Sequence, residues 1–301
     1  MLRFSFTVLA IVAFATPDLS FAEGGYPTSL IRIPESVKTV FVAETSTSTF
    51  HQFDNSGGSL VLANSFYMSI GQSGPGKQRS GDKRTPLGLY FVTEQLDMSK
   101  LHEKYGVAAY PLDYPNVWDQ QAGRDGDGIW VHGVHPEGGR RPERDTDGCI
   151  ALPNEDLKLL QGSIEDNVTP VLVTQQLDWS DNRGDAPLML ELESAVSQWA
   201  SSKANGDLHA YLSSYDADFR RWGMSNAEWS ALFLQPNGFR GYQSAQVEDL
   251  LLIAYPEEED LYLSRFRLTV STAHEQIDSI VRLYWRREES GALKIVAEDV
   301  G

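Results

Sequence analysis

His132 and Cys149 stand seventeen positions apart, and a histidine and a cysteine brought together can transfer acyl groups. The thiol becomes a competent nucleophile when a base removes its proton and a third group orients that base. His132 closes the apolar run Ile129-Trp130-Val131 and precedes Gly133, while Cys149 lies within Thr146-Asp147-Gly148-Cys149-Ile150-Ala151-Leu152. The polar loop between them, with Gly138, Gly139, Arg140, Arg141 and Arg144, is long enough for the chain to turn back and set a second strand end beside the first. Gly148 carries no side chain, so the backbone N–H groups of Gly148 and Cys149 can approach a substrate oxygen closely and form an oxyanion hole. Such donors lower a barrier by about 3 kcal/mol each. Arg140, Arg141 and Arg144 add positive charge that can lower the thiol pKa or hold a substrate carboxylate, unless they are merely solvated loop charges.

Cys149 is the single cysteine in 301 residues. A lone cysteine closes no intramolecular disulfide, so it is either a small buried hydrophobe or a reactive thiol, and its neighbours decide. His132, His135 and Cys149 are all metal-ligand types, but no fourth ligand with familiar spacing accompanies them, and His51 and His102 sit in unrelated contexts. No metal or cofactor is therefore expected. A formal charge of -17 argues against nucleic acid as a partner, because phosphate binding needs clustered Lys and Arg.

The elements that must position the pair follow from the pattern around them. Residues 1–22 combine a basic start at Arg3, an apolar run to Ala15, and Ser20 and Ala22 two apart, which reads as a secretory signal peptide and places the protein in the periplasm. Pro17 and Asp18 interrupt that run, and no other apolar stretch is long enough for a transmembrane segment. From residue 39 to about 174, short β-type runs at 40–43, 59–70, 87–93, 128–132 and 168–173 alternate with Gly, Asp and Pro, predicting a mostly-β domain with one helix at 155–160, capped by Pro153 and Asn154. Linker composition marks the boundary at 175–188. Beyond it the period lengthens: Leu192, Ala195, Val196 and Trp199, then Leu208, Tyr211, Leu212 and Tyr215, predict two amphipathic helices, and Ser225 with Glu228 predicts a capping box that opens a third. Strands at 247–255, 261–270, 279–287 and 293–297 complete an α+β unit with helices on a curved antiparallel sheet. His209 falls on the polar side of its helix and is assigned to the surface rather than to an acid–base pair with Asp216. Trp222, Trp229 and Phe233 fit a pocket or the core equally well.

The run from His132-Gly133 to Thr146-x-Gly148-Cys149-Ile150, with the upstream stretch Gly76-Lys77, Gly81-Asp82 and Thr85-Pro86-x-Gly88, resembles the L,D-transpeptidase catalytic domain of the YkuD type over residues 37–174. The resemblance implies a β-sandwich-like fold in which Cys149 is the nucleophile, His132 the general base, the carbonyl of Gly133 the group that orients the imidazole, and amides near Gly148 and Cys149 the oxyanion donors. Arg140, Arg141, Arg144, Thr146 and Asp147 are then the candidate substrate-binding positions. Two positions depart from the commonest family pattern, Asp147 where many members have His and Ala151 where many have Arg. Asp147 would raise the thiol pKa unless an arginine such as Arg144 compensates. Residues 189–301 resemble the nuclear-transport-factor-two-like cone, a fold that implies no activity by itself. The two together resemble cell-shape-determining LD-carboxypeptidases, which trim the terminal D-alanine from peptidoglycan tetrapeptide stems. The resemblance therefore implies stem peptides as partners. An L,D-transpeptidase-type enzyme that forms cross-links or attaches or detaches a wall-linked protein, and a non-catalytic wall-binding protein, are the alternatives, and the oligomeric state is left open.

Overall fold

A computed structural model of the chain describes residues 25–56, 59–180, 186–235, 238–242, 244–272 and 274–301. The proposed signal peptide lies outside them. A five-stranded sheet runs in the spatial order Ser59–Tyr67, Thr49–Ser56, Thr39–Glu44, Pro170–Thr174, Gly88–Phe91. Its central pair is parallel, with Phe41 opposite Val171, and its outer pairs are antiparallel. A second sheet joins Ala109–Pro111, Trp130–His132 and Ile150–Ala151. Successive strand residues point to opposite faces, so Phe41, Ala43, Val171 and Val173 meet Tyr110, Val131 and Ile150 in the core between these sheets. Helix α1 spans Val117–Gln121; helix α2, Asn154–Leu160, adds Leu157 and Leu160 to that core.

The other face of the five-stranded sheet is buried too. Val40, Val42, Phe53, Leu89 and Leu172 pack with Leu251, Ile253, Leu261, Leu263, Tyr284 and Val296 of the C-terminal unit. That unit is an antiparallel sheet in the order Leu293–Val300, Gln276–Arg287, Leu261–Ser271, Ser244–Ala254, Leu30–Arg32. Helices α3 (Ala186–Asn205), α4 (Leu208–Ser213) and α5 (Asn226–Phe233) bury Leu192, Val196, Trp199, Tyr211 and Trp229 against it. The Ser225–Glu228 capping box opens α5. Trp229 and Phe233 belong to this core, whereas Trp222 is 75% exposed.

Three sequence expectations change. Of the stretch assigned to a linker, 181–185 lies outside the described residues and the described parts are folded: Leu177 is buried, the Gln175 N–H donates to Glu257 Oε1 at 2.8 Å, and α3 runs from Ala186. The C-terminal sheet takes its edge strand from Leu30–Arg32, ahead of the catalytic domain, because Leu30 and Ile31 supply apolar side chains to the cores on its two sides. Thr49–Ser56, absent from the expected strands, holds buried His51, Gln52 and Asn55, whose side chains are hydrogen-bonded, so buried polar residues break the apolar–polar alternation that would have marked the strand.

Ile253 is fully buried in the core shared by both units. Ile253→Ala is expected to cost about 2–5 kcal/mol. Calorimetry should show one transition that moves down as a whole; two separated transitions would contradict a shared core.

Candidate active site

Parallel pairing places Ile150 opposite Val131 and Ala151 opposite His132. Cys149 therefore enters its strand beside Trp130, with His132 two residues further along the neighbouring strand. Both line a cleft of about 530 Å³, shared with Lys77, Lys104, Tyr105, Arg141 and Asp147. Two larger cavities, about 920 and 670 Å³, hold neither histidine nor cysteine in their walls.

His132 is buried, and its Nδ1 lies 2.6 Å from the carbonyl oxygen of Gly133. A carbonyl only accepts, so Nδ1 carries the proton and Nε2 keeps its lone pair. Tyr105 sets its ring edge-on to the imidazole at 5.2 Å. Burial lowers the His132 pKa to about 4; the bond to Gly133 opposes this, and the charges of Arg141 and Lys104 add to it. Burial also pushes the Cys149 thiol up, against the backbone N–H of Trp130, and Asp147 pushes it further. The thiol donates to the Gly128 carbonyl at 3.3 Å. The resting pair is thus a neutral thiol and a neutral imidazole, an arrangement that moves the proton as the nucleophile attacks rather than beforehand.

The turn into Cys149 is held by two hydroxyls. Thr146 Oγ1 donates to the Cys149 carbonyl at 2.7 Å and accepts from the Gly148 N–H at 3.1 Å. Thr85, fully buried, donates to the Gly148 carbonyl and accepts from the Gly71 N–H, both at 2.9 Å. Gly148 has φ +129, and a Cβ there would sit 2.8 Å from the Arg84 carbonyl oxygen, so glycine is required. These bonds bear on two expectations. The Gly148 N–H is already engaged by Thr146, which leaves the N–H of Cys149 as the candidate oxyanion donor; Thr146 lines the cleft, with its hydroxyl bonded within the turn. The Gly76–Gly88 stretch forms the adjoining wall, where Lys77 Nζ contacts Asp82 at 2.9 Å. Burial alone would raise the Asp82 carboxyl, but the N–H groups of Gln78, Arg79 and Arg84, with Lys77, hold it well below the usual carboxylate range.

The expected arginines separate. Arg141 lines the cleft with its Nε on Asp145 at 2.8 Å. Arg140 stacks over the Tyr67 ring at 3.5 Å, and Arg144 lies against Gly74; neither lines the cleft. Asp147 is exposed and faces Lys83 at 3.7 Å, so Lys83, not Arg144, offsets its charge. His135 pairs with Glu103 at 2.9 Å, away from Cys149, and His51 bonds Ser65.

Asn154 does not cap α2. Its Oδ1 accepts from the N–H groups of Val134 (3.0 Å) and Val107 (3.3 Å), and its Nδ2 donates to the Val134 carbonyl at 2.8 Å. It thereby locks the segment that carries the Gly133 carbonyl, and a Cβ on Gly133 would meet Asn154 Oδ1 at 2.2 Å. Sequence pattern offered only its helix-start position, which points to a cap. Lys104 and Tyr105 reach the cleft from a single 3-10 turn, Glu103–Tyr105, whose place depends entirely on tertiary packing.

Residues 38–173 match the L,D-transpeptidase catalytic domain, YkuD. The chain carries a YkuD domain. Residues 191–299 match the Cds6 C-terminal NTF2-like domain. The structure superposes on the helical cell shape determining protein Pgp2 from Campylobacter jejuni with a TM-score of 0.76 and 23% identity, covering 91% of this chain and 96% of that one. Bd1075 of Bdellovibrio bacteriovorus gives 0.72 and 22%, covering 92% and 98%. At these identities the likeness establishes the fold. No curated protein gives a significant match.

In this YkuD domain Ala151 is buried opposite His132 and bonds Ser69 through its backbone. No side chain there reaches the cleft as an arginine would.

A neutral resting pair predicts slow alkylation of Cys149 by iodoacetamide at neutral pH, rising only on the alkaline side. A reactive plateau extending into the acidic range would indicate a preformed thiolate–imidazolium pair. Asn154→Ala should lower turnover roughly 100-fold with little change in KM, because the base loses its orientation; steady-state kinetics on a stem peptide would check this.

Proposed function

We propose that the protein is an exported peptidoglycan LD-carboxypeptidase that trims tetrapeptide stems to tripeptides. The observation that carries this reading is the His132 imidazole, oriented by the Gly133 carbonyl and sharing one cleft with Cys149 on a YkuD domain. The Cys149 thiol passes its proton to His132 Nε2 as sulfur attacks the carbonyl of the L-configured centre of meso-diaminopimelate. The N–H of Cys149 receives the developing oxyanion. Collapse breaks the peptide bond, the D-alanine nitrogen takes the proton from His132, and a thioester remains. Water, deprotonated by His132 Nε2, then attacks the thioester; the carbon–sulfur bond breaks, the tripeptide leaves, and the proton on Nε2 returns to the sulfur. An amine acceptor at that last step would instead make a cross-link.

Export follows from residues 1–22, and a role in cell shape is supported by the likeness to Pgp2, whose name states that role. The reading expects tripeptide as the sole new product when purified protein meets defined muropeptides and products are resolved by mass. Dimers would identify a transpeptidase, and no turnover of any stem would overturn an enzymatic role. Cys149→Ala should abolish turnover. The base must be neutral to act, so kcat/KM should hold as pH falls and drop only near pH 4, where His132 protonates.

A further inference from the structure

The cleft holds three cations, and two have anionic partners. Lys77 is bound to Asp82 at 2.9 Å and Arg141 to Asp145 at 2.8 Å. Lys104 forms no ion pair among the described residues; its ammonium rests 4.8 Å from the centre of the Tyr105 ring. That ring packs against His132 on one side and Trp130, at 4.8 Å between centroids, on the other. Lys104 is thus tied to the His132 side of the cleft.

This position has a consequence for the reaction. His132 must deliver its proton to the departing amine, so the departing residue lies on the His132 side. In an exopeptidase substrate the α-carboxylate of that residue is two bonds from the amine. We infer that Lys104 is the specificity residue that receives the free carboxylate of the departing D-amino acid, selecting stems that end at that residue. A carboxylate there completes the missing ion pair and is charge-assisted on a short reach. Ala151 supplies no guanidinium to compete for it, and Arg141 already holds Asp145. The charge of Lys104 also bears on both reacting groups, lowering the pKa of His132 and of Cys149. A carboxylate bound to it would relieve that effect only when a correct substrate is present.

The inference rests on the carboxypeptidase reading, and one experiment separates them. The wild-type protein and Lys104→Gln are compared on a tetrapeptide stem with a free C-terminal carboxylate and on the same stem as its C-terminal amide. The wild type should lose roughly tenfold in kcat/KM on the amide, mostly through KM. Lys104→Gln should lose a similar factor on the acid and almost nothing on the amide, and Lys104→Arg should restore discrimination. Equal losses on both stems, or a wild type indifferent to amidation, would overturn the role of Lys104 while leaving the carboxypeptidase intact. Absence of wild-type turnover on both stems overturns the carboxypeptidase reading, and this inference with it.

Discussion

The five-stranded sheet is buried on both faces, and most of the molecule follows from that. Val40 and Val42 face the C-terminal unit while Phe41 and Ala43 face the catalytic core, so one strand, Thr39–Glu44, is shared by two apolar layers. A sheet covered on both sides cannot shift register without exposing one set of side chains. The parallel pair Thr39–Glu44 and Pro170–Thr174 is thereby fixed, and the second sheet that packs on it is held where Trp130–His132 and Ile150–Ala151 run side by side. The accessory unit contributes to the site in this indirect way, as half the covering of the sheet beneath it.

On that frame the chemistry is built almost wholly from backbone. A carbonyl, that of Gly133, sets the tautomer of His132, and the Gly148 and Cys149 main chain is fixed by bonds to Thr146 and Thr85. A carbonyl dipole stabilises an imidazolium less than a carboxylate does, which agrees with a base whose pKa is lowered by burial and a thiol whose pKa is raised. Backbone groups cannot be re-aimed by a rotamer change. Their placement therefore depends on Asn154, Thr146 and Thr85, each of which bonds both a main-chain N–H and a main-chain carbonyl.

What could be read from sequence follows the same division. That His132 and Cys149 would meet in one cleft was legible because a lone cysteine and a histidine at strand ends are particular side chains, and the cores because their periods of two and about three and a half survive without tertiary context. The single strand Leu30–Arg32 was not legible, since three residues carry no period and their partner, Ser244–Ala254, lies more than two hundred positions away. Asn154 was read as a cap because local spacing says nothing about a side chain turned toward Val107 and Val134. The Gly148 amide was assigned to the substrate for a related reason: Thr146, two residues earlier, takes it in a bond that only the folded turn defines.

Charge placement shows the limit of composition most clearly. A net charge of -17 describes a surface on which cations are scarce, yet Lys77, Lys104 and Arg141 converge in one cleft with Asp127, Asp145 and Asp147. Lys77, Arg141, Asp145 and Asp147 each face an opposite charge, so the field at Cys149 depends on which charges lie near it rather than on the total. Asp147 and Lys104 act on the thiol in opposite senses, and Lys83 draws on Asp147 from outside the cleft. Screening by solvent weakens the exposed Asp147–Lys83 pair more than charges at the cleft floor. The balance at the nucleophile is accordingly set by individual contacts, Asp147 against Lys104 and Arg141, which the net charge of the chain does not reveal.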